Sequence, residues 1–234
     1  MALQISLCVL VLISVITFIC LRITKSGVIA LLAKTVASML FVAYGVFSLV
    51  NVTYFKPIAV CFILMGLLCG LIGDIVLDLK VIYPEHDKIY LNAGMASFGI
   101  GHIFYLLGAI FFSAKVFNLM WPLLVGVIVA VVLTPVIYFV STRVLKLNFG
   151  KFLVQTLAYT FVLLFMCGFS VYMSILAQEF IIYAGGILLI FISDLVLSMN
   201  YFGKDKQDDK FLVITNHALY YAGQILMATF LFLF

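Results

Sequence analysis

The chain has 234 residues, 67% of them hydrophobic and 9% charged, with 13 Lys and Arg against 9 Asp and Glu and a formal net charge of +4. A soluble domain carries about 25% charged residues, so this chain has too few charges to cover a water-facing surface. The same figures exclude a disordered chain, a collagen and a disulfide scaffold, and leave an integral membrane protein.

A helix crosses the roughly 30 Å hydrocarbon core in about 20 residues. On that measure the sequence predicts eight spans, near 4–21, 28–50, 57–79, 89–113, 119–141, 151–176, 180–200 and 211–233. The breaks between them are short and polar. The ten-residue alternation of an outer-membrane barrel is absent. The first span does not read as a cleavable signal, since no Lys or Arg precedes it and no small-residue cleavage site follows. With no long loop, linker or low-complexity tract, the expectation is all-α: a single eight-span domain over residues 1–234.

Orientation follows from where Lys and Arg fall. The first, third, fifth and seventh connectors hold Arg22, Lys25, Lys80, Lys88, Arg143, Lys146, Lys151, Lys204, Lys206 and Lys210, whereas the opposite side holds Lys56 and Lys115. This bias puts the odd connectors in the cytoplasm and both termini on the other side. Because the cations are spread over short loops, a nucleic-acid partner is not implied; anionic lipid headgroups are the natural counter-charge.

Along the chain, the polar residues inside the spans carry the information. Span two holds Lys34, which could snorkel to the headgroups if it stood alone. Span three holds Gly66 and Gly70, a GxxxG that reads first as close packing inside the bundle. It also holds Asp74, and Asp78, which lies two residues from Lys80 and reads as a solvated or ion-paired boundary residue. On span four, Phe98, His102 and Tyr105 are four and three apart and share a face. Span five has Pro135 inside it. Span six pairs Gln155 with Tyr159, span seven holds Asp194, and span eight carries His217, Tyr221 and Gln224 on one face with Tyr220 beside them. Counting from the span ends at 1.5 Å per residue, Lys34, Asp74, Asp194 and His217 lie roughly 9 Å below the cytoplasmic boundary. Tyr159, His102 and Gln224 lie somewhat deeper. These groups would line a cavity open to the cytoplasmic leaflet if the bundle closes around them. Cys8, Cys20, Cys61, Cys69 and Cys167 all fall in apolar stretches without metal-ligand or redox spacing.

Intramembrane carboxylates are costly and usually mark a site. Two acids in one low-dielectric site do not ionise equally, which yields a proton donor and an acceptor at the same pH. That arrangement cleaves acetal-like bonds, and it equally serves proton-coupled transport. No GxSxG, no HExxH and no Cys beside a His suggests another chemistry, and the two Asp with His102 and His217 form only a weak metal signal.

The motifs themselves resemble a family. Gly73-Asp74 with Leu77, Phe98-x-x-Gly101-His102-x-x-Tyr105, Ser193-Asp194-x-x-Leu197-x-x-Asn200-x-Phe202 and Tyr220-Tyr221-x-x-Gln224, with Lys34, Tyr159 and Met166, are similar to the lysoplasmalogenase (YhhN-like) family over nearly the whole chain. Two positions depart from its pattern: Gly70 stands where Ser is common, and Gly223 where Ala usually precedes the Gln. The resemblance implies a hydrolase of the vinyl-ether bond of lysoplasmalogens, giving a fatty aldehyde and a glycerophosphoethanolamine or glycerophosphocholine. It implies no organic cofactor and no metal. Asp74 and Asp194 would be the catalytic pair, with Lys34, His102, Tyr105, Tyr159, His217, Tyr221 and Gln224 in binding or supporting roles. The substrate would enter from the cytoplasmic leaflet of a bacterial plasma membrane or an endoplasmic reticulum. A proton-coupled transporter using the same carboxylates and a non-enzymatic lipid-binding protein are the competing classes.

The topology is open to a direct check. Reporters fused to either terminus are expected to register the non-cytoplasmic side, and a cytoplasmic C-terminus would overturn the eight-span frame.

Overall fold

The computed structural model describes residues 2–25, 27–51, 56–114, 116–204, 206 and 209–233. Eight helices follow one another: α1 Ala2–Thr24, α2 Gly27–Phe47, α3 Pro57–Ile82, α4 Asp87–Ser113, α5 Met120–Phe139, α6 Leu153–Leu176, α7 Phe180–Phe202 and α8 Lys210–Phe230. Each matches one predicted span, its ends shifted by no more than three residues. No strand occurs among the described residues. Seven of the helices, α1 to α7, are long and apolar enough to cross a membrane, which makes this an integral multi-pass membrane protein. The 21 residues of α8 are as many as those of α2, but Asn216, His217 and Gln224 leave it less apolar. Lys115, one of the two cations expected on the non-cytoplasmic side, lies outside the described residues, as do parts of the connectors at 26, 52–55, 205 and 207–208.

The chain divides into two compact units, Met1–Lys115 with Met227–Phe234, and Val116–Leu226. In the first, α1 packs on α2, α2 on α3, and α3 along α4, the most extensive helix pair in the molecule. Its core is built from Val11, Phe18, Ala37, Phe41, Ile63, Leu67 and Ala109. In the second, α5 packs on α6 and α6 on α7, around Leu163, Met166, Phe169, Tyr183, Ile187 and Ile190. The outward faces remain apolar, for example Ile13, Ile16, Leu32, Val36, Met39 and Ile72. Lipid solvates such faces as well as a neighbouring helix would, so helix pairing in a membrane depends on close backbone approach and polar contacts.

Glycine supplies that approach between α3 and α4. Gly94, Gly101 and Gly108 recur every seven residues along one side of α4. A Cβ added at Gly101 would stand 3.2 Å from the Gly66 carbonyl oxygen and 3.0 Å from the Cys69 Cβ, and one at Gly108 would stand 3.2 Å from the Ala59 carbonyl. The ring of Tyr105 lies directly over Gly66, and that of Phe98 over Gly73. The GxxxG of span three therefore serves packing within its own hairpin, and the Phe98, Gly101 and Tyr105 positions of the motif are its counterparts on α4. In the second unit α5 and α6 meet where a Cβ at Gly168 would be 3.1 Å from the Gly126 Cα.

Gly101→Leu should overpack the α3–α4 contact and lower stability by about 1–3 kcal/mol. Gly185→Ala, whose nearest neighbour would be Leu226 Cδ1 at 3.4 Å, should leave it unchanged or slightly raised. Thermal unfolding of both variants in detergent checks the contrast, and equal stability of the two would remove the packing account.

Candidate functional site

The first unit contains a ladder of buried charges across three helices. Lys34 and Ser38 are four apart on α2, and Asp74 and Asp78 are four apart on α3, so each pair shares a helix face. Where α2 meets α3 the two pairs interlock. Lys34 Nζ lies 3.2 Å from Asp74 Oδ1 and 3.1 Å from Asp78 Oδ1. Ser38 Oγ donates to Asp74 Oδ2 at 2.6 Å. Arg22, in the last turn of α1, donates through Nη2 to Asp78 Oδ2. The charges thus alternate from α1 inwards: Arg22, Asp78, Lys34, Asp74, ending on the Ser38 hydroxyl. Lys34, Asp74 and Asp78 are 3%, 2% and 5% exposed. At that burial, charges are retained only when they are paired and hydrogen-bonded.

Two expectations are sharpened here. Of the two alternatives for Asp78, solvated or ion-paired, the structure shows the second: it is buried and ion-paired to both Arg22 and Lys34. Arg22, counted as a connector cation, belongs to the same ladder. The reason is helix length: α1 runs to Thr24 and α3 to Ile82, each three residues past the apolar stretch, so both side chains lie deeper inside the helical part than the span ends imply. Lys34 does not snorkel, because its ammonium has two carboxylates within reach. The spacing of four at 34/38 and at 74/78 was the available signal for the interlock. Gly70, four residues before Asp74, brings no side chain to it; the hydroxyl comes from Ser38 on α2.

His102 and Tyr105 also belong to the first unit. Both are buried, with ring centroids 6.4 Å apart on α4. Tyr105 thereby combines its place in the polar stripe with its seat over Gly66.

The second unit holds the other named residues. Tyr159 Oη on α6 donates to Asp194 Oδ2 on α7 at 2.6 Å. Both are half-buried, and among the described residues no Lys or Arg pairs with Asp194. One residue before Asp194, Ser193 is stapled to α8: Ser193 Oγ donates to the Asn216 carbonyl at 3.0 Å, and Asn216 Nδ2 donates to Ser193 O and Oγ, both at 2.9 Å. Neighbouring residues on a helix point about 100° apart. The staple therefore turns Ser193 and Asn216 towards each other while Asp194 and His217, one position on, face elsewhere at nearly the same level. His217 Nδ1 sits 2.7 Å from the Val213 carbonyl oxygen. A carbonyl can only accept, so Nδ1 carries a proton and donates it to this bond. Tyr221 and Gln224 are buried, and the Tyr220 and Tyr221 rings meet edge-on at 5.2 Å.

The end of the span-seven motif has another role. Asn200 Nδ2 donates to the Lys206 carbonyl at 2.8 Å, and the Phe202 carbonyl accepts from the Asn148 N–H at 3.0 Å while its ring packs on Phe149 and Phe152. Asn200 and Phe202 hold connectors in place. Asn216 bears no charge and belongs to no spaced polar stripe, so the sequence offers no signal for this staple.

Residues 29–231 match the model of the YhhN family, the family of lysoplasmalogenases, and the chain belongs to it. No curated protein and no solved structure matches it.

Removing Lys34 leaves two carboxylates on one face of α3, with the Arg22 guanidinium on Asp78. Lys34→Met should therefore cost about 3–5 kcal/mol, the loss seen when one partner of a buried ion pair is deleted. Lys34→Met with Asp74→Asn should recover part of it. Unfolding midpoints in detergent read both, and an unchanged midpoint for the single variant would show that the ladder contributes nothing to stability.

Proposed function

We propose that this member of the YhhN family is a membrane hydrolase that cleaves the vinyl-ether bond of lysoplasmalogens. The observation that carries the reading is the family match over residues 29–231. The two intramembrane carboxyl groups of the motif support it through their different company: Asp74 lies in an ion pair with Lys34, and Asp194 accepts from the neutral phenol of Tyr159.

A vinyl ether is broken by placing a proton on its outer alkene carbon. The remaining carbon becomes an oxocarbenium ion, water adds to it, and the hemiacetal collapses to a fatty aldehyde and the glycerol hydroxyl. The overall balance is one water consumed. In this scheme the carboxyl held by a phenol, Asp194, delivers the proton as general acid, with Tyr159 on its other oxygen. Asp74, whose two oxygens are engaged by the Lys34 ammonium and the Ser38 hydroxyl, is the second acid of this reading and stays ionised. His217, held through Nδ1 to the Val213 carbonyl, has a supporting role in this reading. The substrate is a single-chain lysophospholipid whose tail the apolar helices accommodate, and the basic connectors attract its phosphate. No cofactor enters the scheme.

Purified protein in detergent should release aldehyde from a lysoplasmalogen, and Asp74→Asn and Asp194→Asn, made separately, should each lower kcat by about 10²-fold or more. Full activity in either variant removes that residue from the reaction. Movement of lipid across liposomes without any aldehyde would replace hydrolysis by transport.

A further inference from the structure

Arg22 stands before the stretch that the family model matches, in the last turn of α1, and the buried Phe18 ring one turn earlier lies 5.7 Å from it and 6.0 Å from Lys34 Nζ. Neither Arg22 nor Asp78 has a part in the proton transfers of the scheme above. Their place in the ladder nonetheless bears on Asp74. Lys34 Nζ is nearly equidistant from the two acids, 3.2 Å from Asp74 Oδ1 and 3.1 Å from Asp78 Oδ1. The acids therefore compete for one ammonium. Arg22 takes up Asp78 through that carboxylate's other oxygen.

We propose that Arg22 is a positioning residue for Asp74, acting through Asp78 and Lys34. By neutralising Asp78 it leaves the Lys34 ammonium centred between the two acids, and so keeps Asp74 oriented by Lys34 on one oxygen and Ser38 on the other. Without Arg22, Asp78 is a buried carboxylate with only a share of an ammonium. The long, flexible stem of Lys34 lets the charge follow the stronger field towards Asp78. Asp74 then keeps the Ser38 hydroxyl but loses its cation, and its carboxylate can rotate away from the reacting geometry. Removing the charge of Asp78 as well takes away the competitor and returns Lys34 to Asp74. The second substitution should repair the first, which a chain of independent contacts would not do.

This inference rests on the hydrolase reading, and its experiment separates the two. Full-length protein in detergent is assayed with a lysoplasmalogen as Arg22→Ala, Arg22→Lys, Asp78→Asn and the double variant Arg22→Ala/Asp78→Asn. Activity is expressed per folded molecule from parallel thermal unfolding. Arg22→Ala is expected to lower kcat about tenfold with KM changed by less than about twofold. The double variant is expected to regain most of that loss, and Arg22→Lys to stay above Arg22→Ala. A double variant as slow as Arg22→Ala overturns the inference, and so does a KM that rises in both, which would make Arg22 a direct contact of the headgroup. A second readout needs no catalysis: the unfolding shifts of Arg22→Ala and Asp74→Asn, residues two links apart, should be non-additive in the double variant. Additive shifts overturn the relay. If the wild-type protein releases no aldehyde, the hydrolase reading falls and this cycle still decides whether Arg22 is coupled to Asp74.

Discussion

A charge inside an apolar helix bundle has to be matched where it stands, and in the first unit Lys34 does the matching. Apolar contacts between helices in lipid say little about register, because one Leu or Val ridge is much like the next and the lipid competes equally well. The ladder is more exacting. Lys34 and Ser38 on α2 meet Asp74 and Asp78 on α3 with every bond made only at one alignment. Sliding α2 by one turn, about 5.4 Å, would leave Lys34 against a single acid and carry Ser38 off its carboxylate oxygen. Arg22 extends the same constraint to α1. Three helices with nearly featureless outer faces are thereby fixed to one another by five side chains. The glycine seam of α3 and α4 complements this, since it sets how near two backbones come and leaves polar matching to the neighbouring face of α3.

Much of this was legible in the sequence. Eight apolar stretches gave eight helices, because composition and length alone decide what can lie in a bilayer. The pairing of Lys34 with Asp74 was foreshadowed by their equal distance from the span ends, since costly groups in one layer are there to meet, whereas Tyr159 read as deeper than the Asp194 it meets. What escaped was the outer half of the ladder. Hydropathy measures where apolar residues stop, and helices continue past that point for as long as the backbone bonds can be made. Arg22 lies in that margin and Asp78 just short of it, so they read as boundary residues although they are paired inside the fold. Ser38 and Asn216 escaped for a different reason. Hydroxyl and amide groups bear no net charge, and they acquire meaning only once the neighbouring helix is in place.

The second unit shows how one motif divides its work among adjacent residues. Ser193 and Asn216 are spent on holding α7 to α8, and Asn200 and Phe202 on holding the connectors. Asp194 and His217, each one residue from the staple, are relieved of that duty. Their side chains take partners on other sides, Tyr159 for the acid and the Val213 carbonyl for the imidazole. A staple at the neighbouring residue fixes height and facing without using up the reactive atoms, which is what a preorganised site requires of its support.

Acid–base chemistry with two carboxyl groups needs them to differ, because one must give a proton that the other must not. Desolvation alone cannot supply the difference, as both lie on membrane-spanning helices. Partners can. Asp74 is held by an ammonium and a hydroxyl, a setting that suits a fixed anion, whereas Asp194 is held by a phenol, which donates one hydrogen bond and brings no charge. In the proposed reaction the asymmetry would be written in residues that never touch the vinyl ether. Lys34 on α2 and Tyr159 on α6 decide which acid does what. A Lys at position 159 would give both acids a cation and erase the distinction even with both aspartates in place. On this view the second helix and the sixth are as much a part of the chemistry as the third and the seventh, and the conserved chemistry of a family need not reside only in the residues that carry the protons.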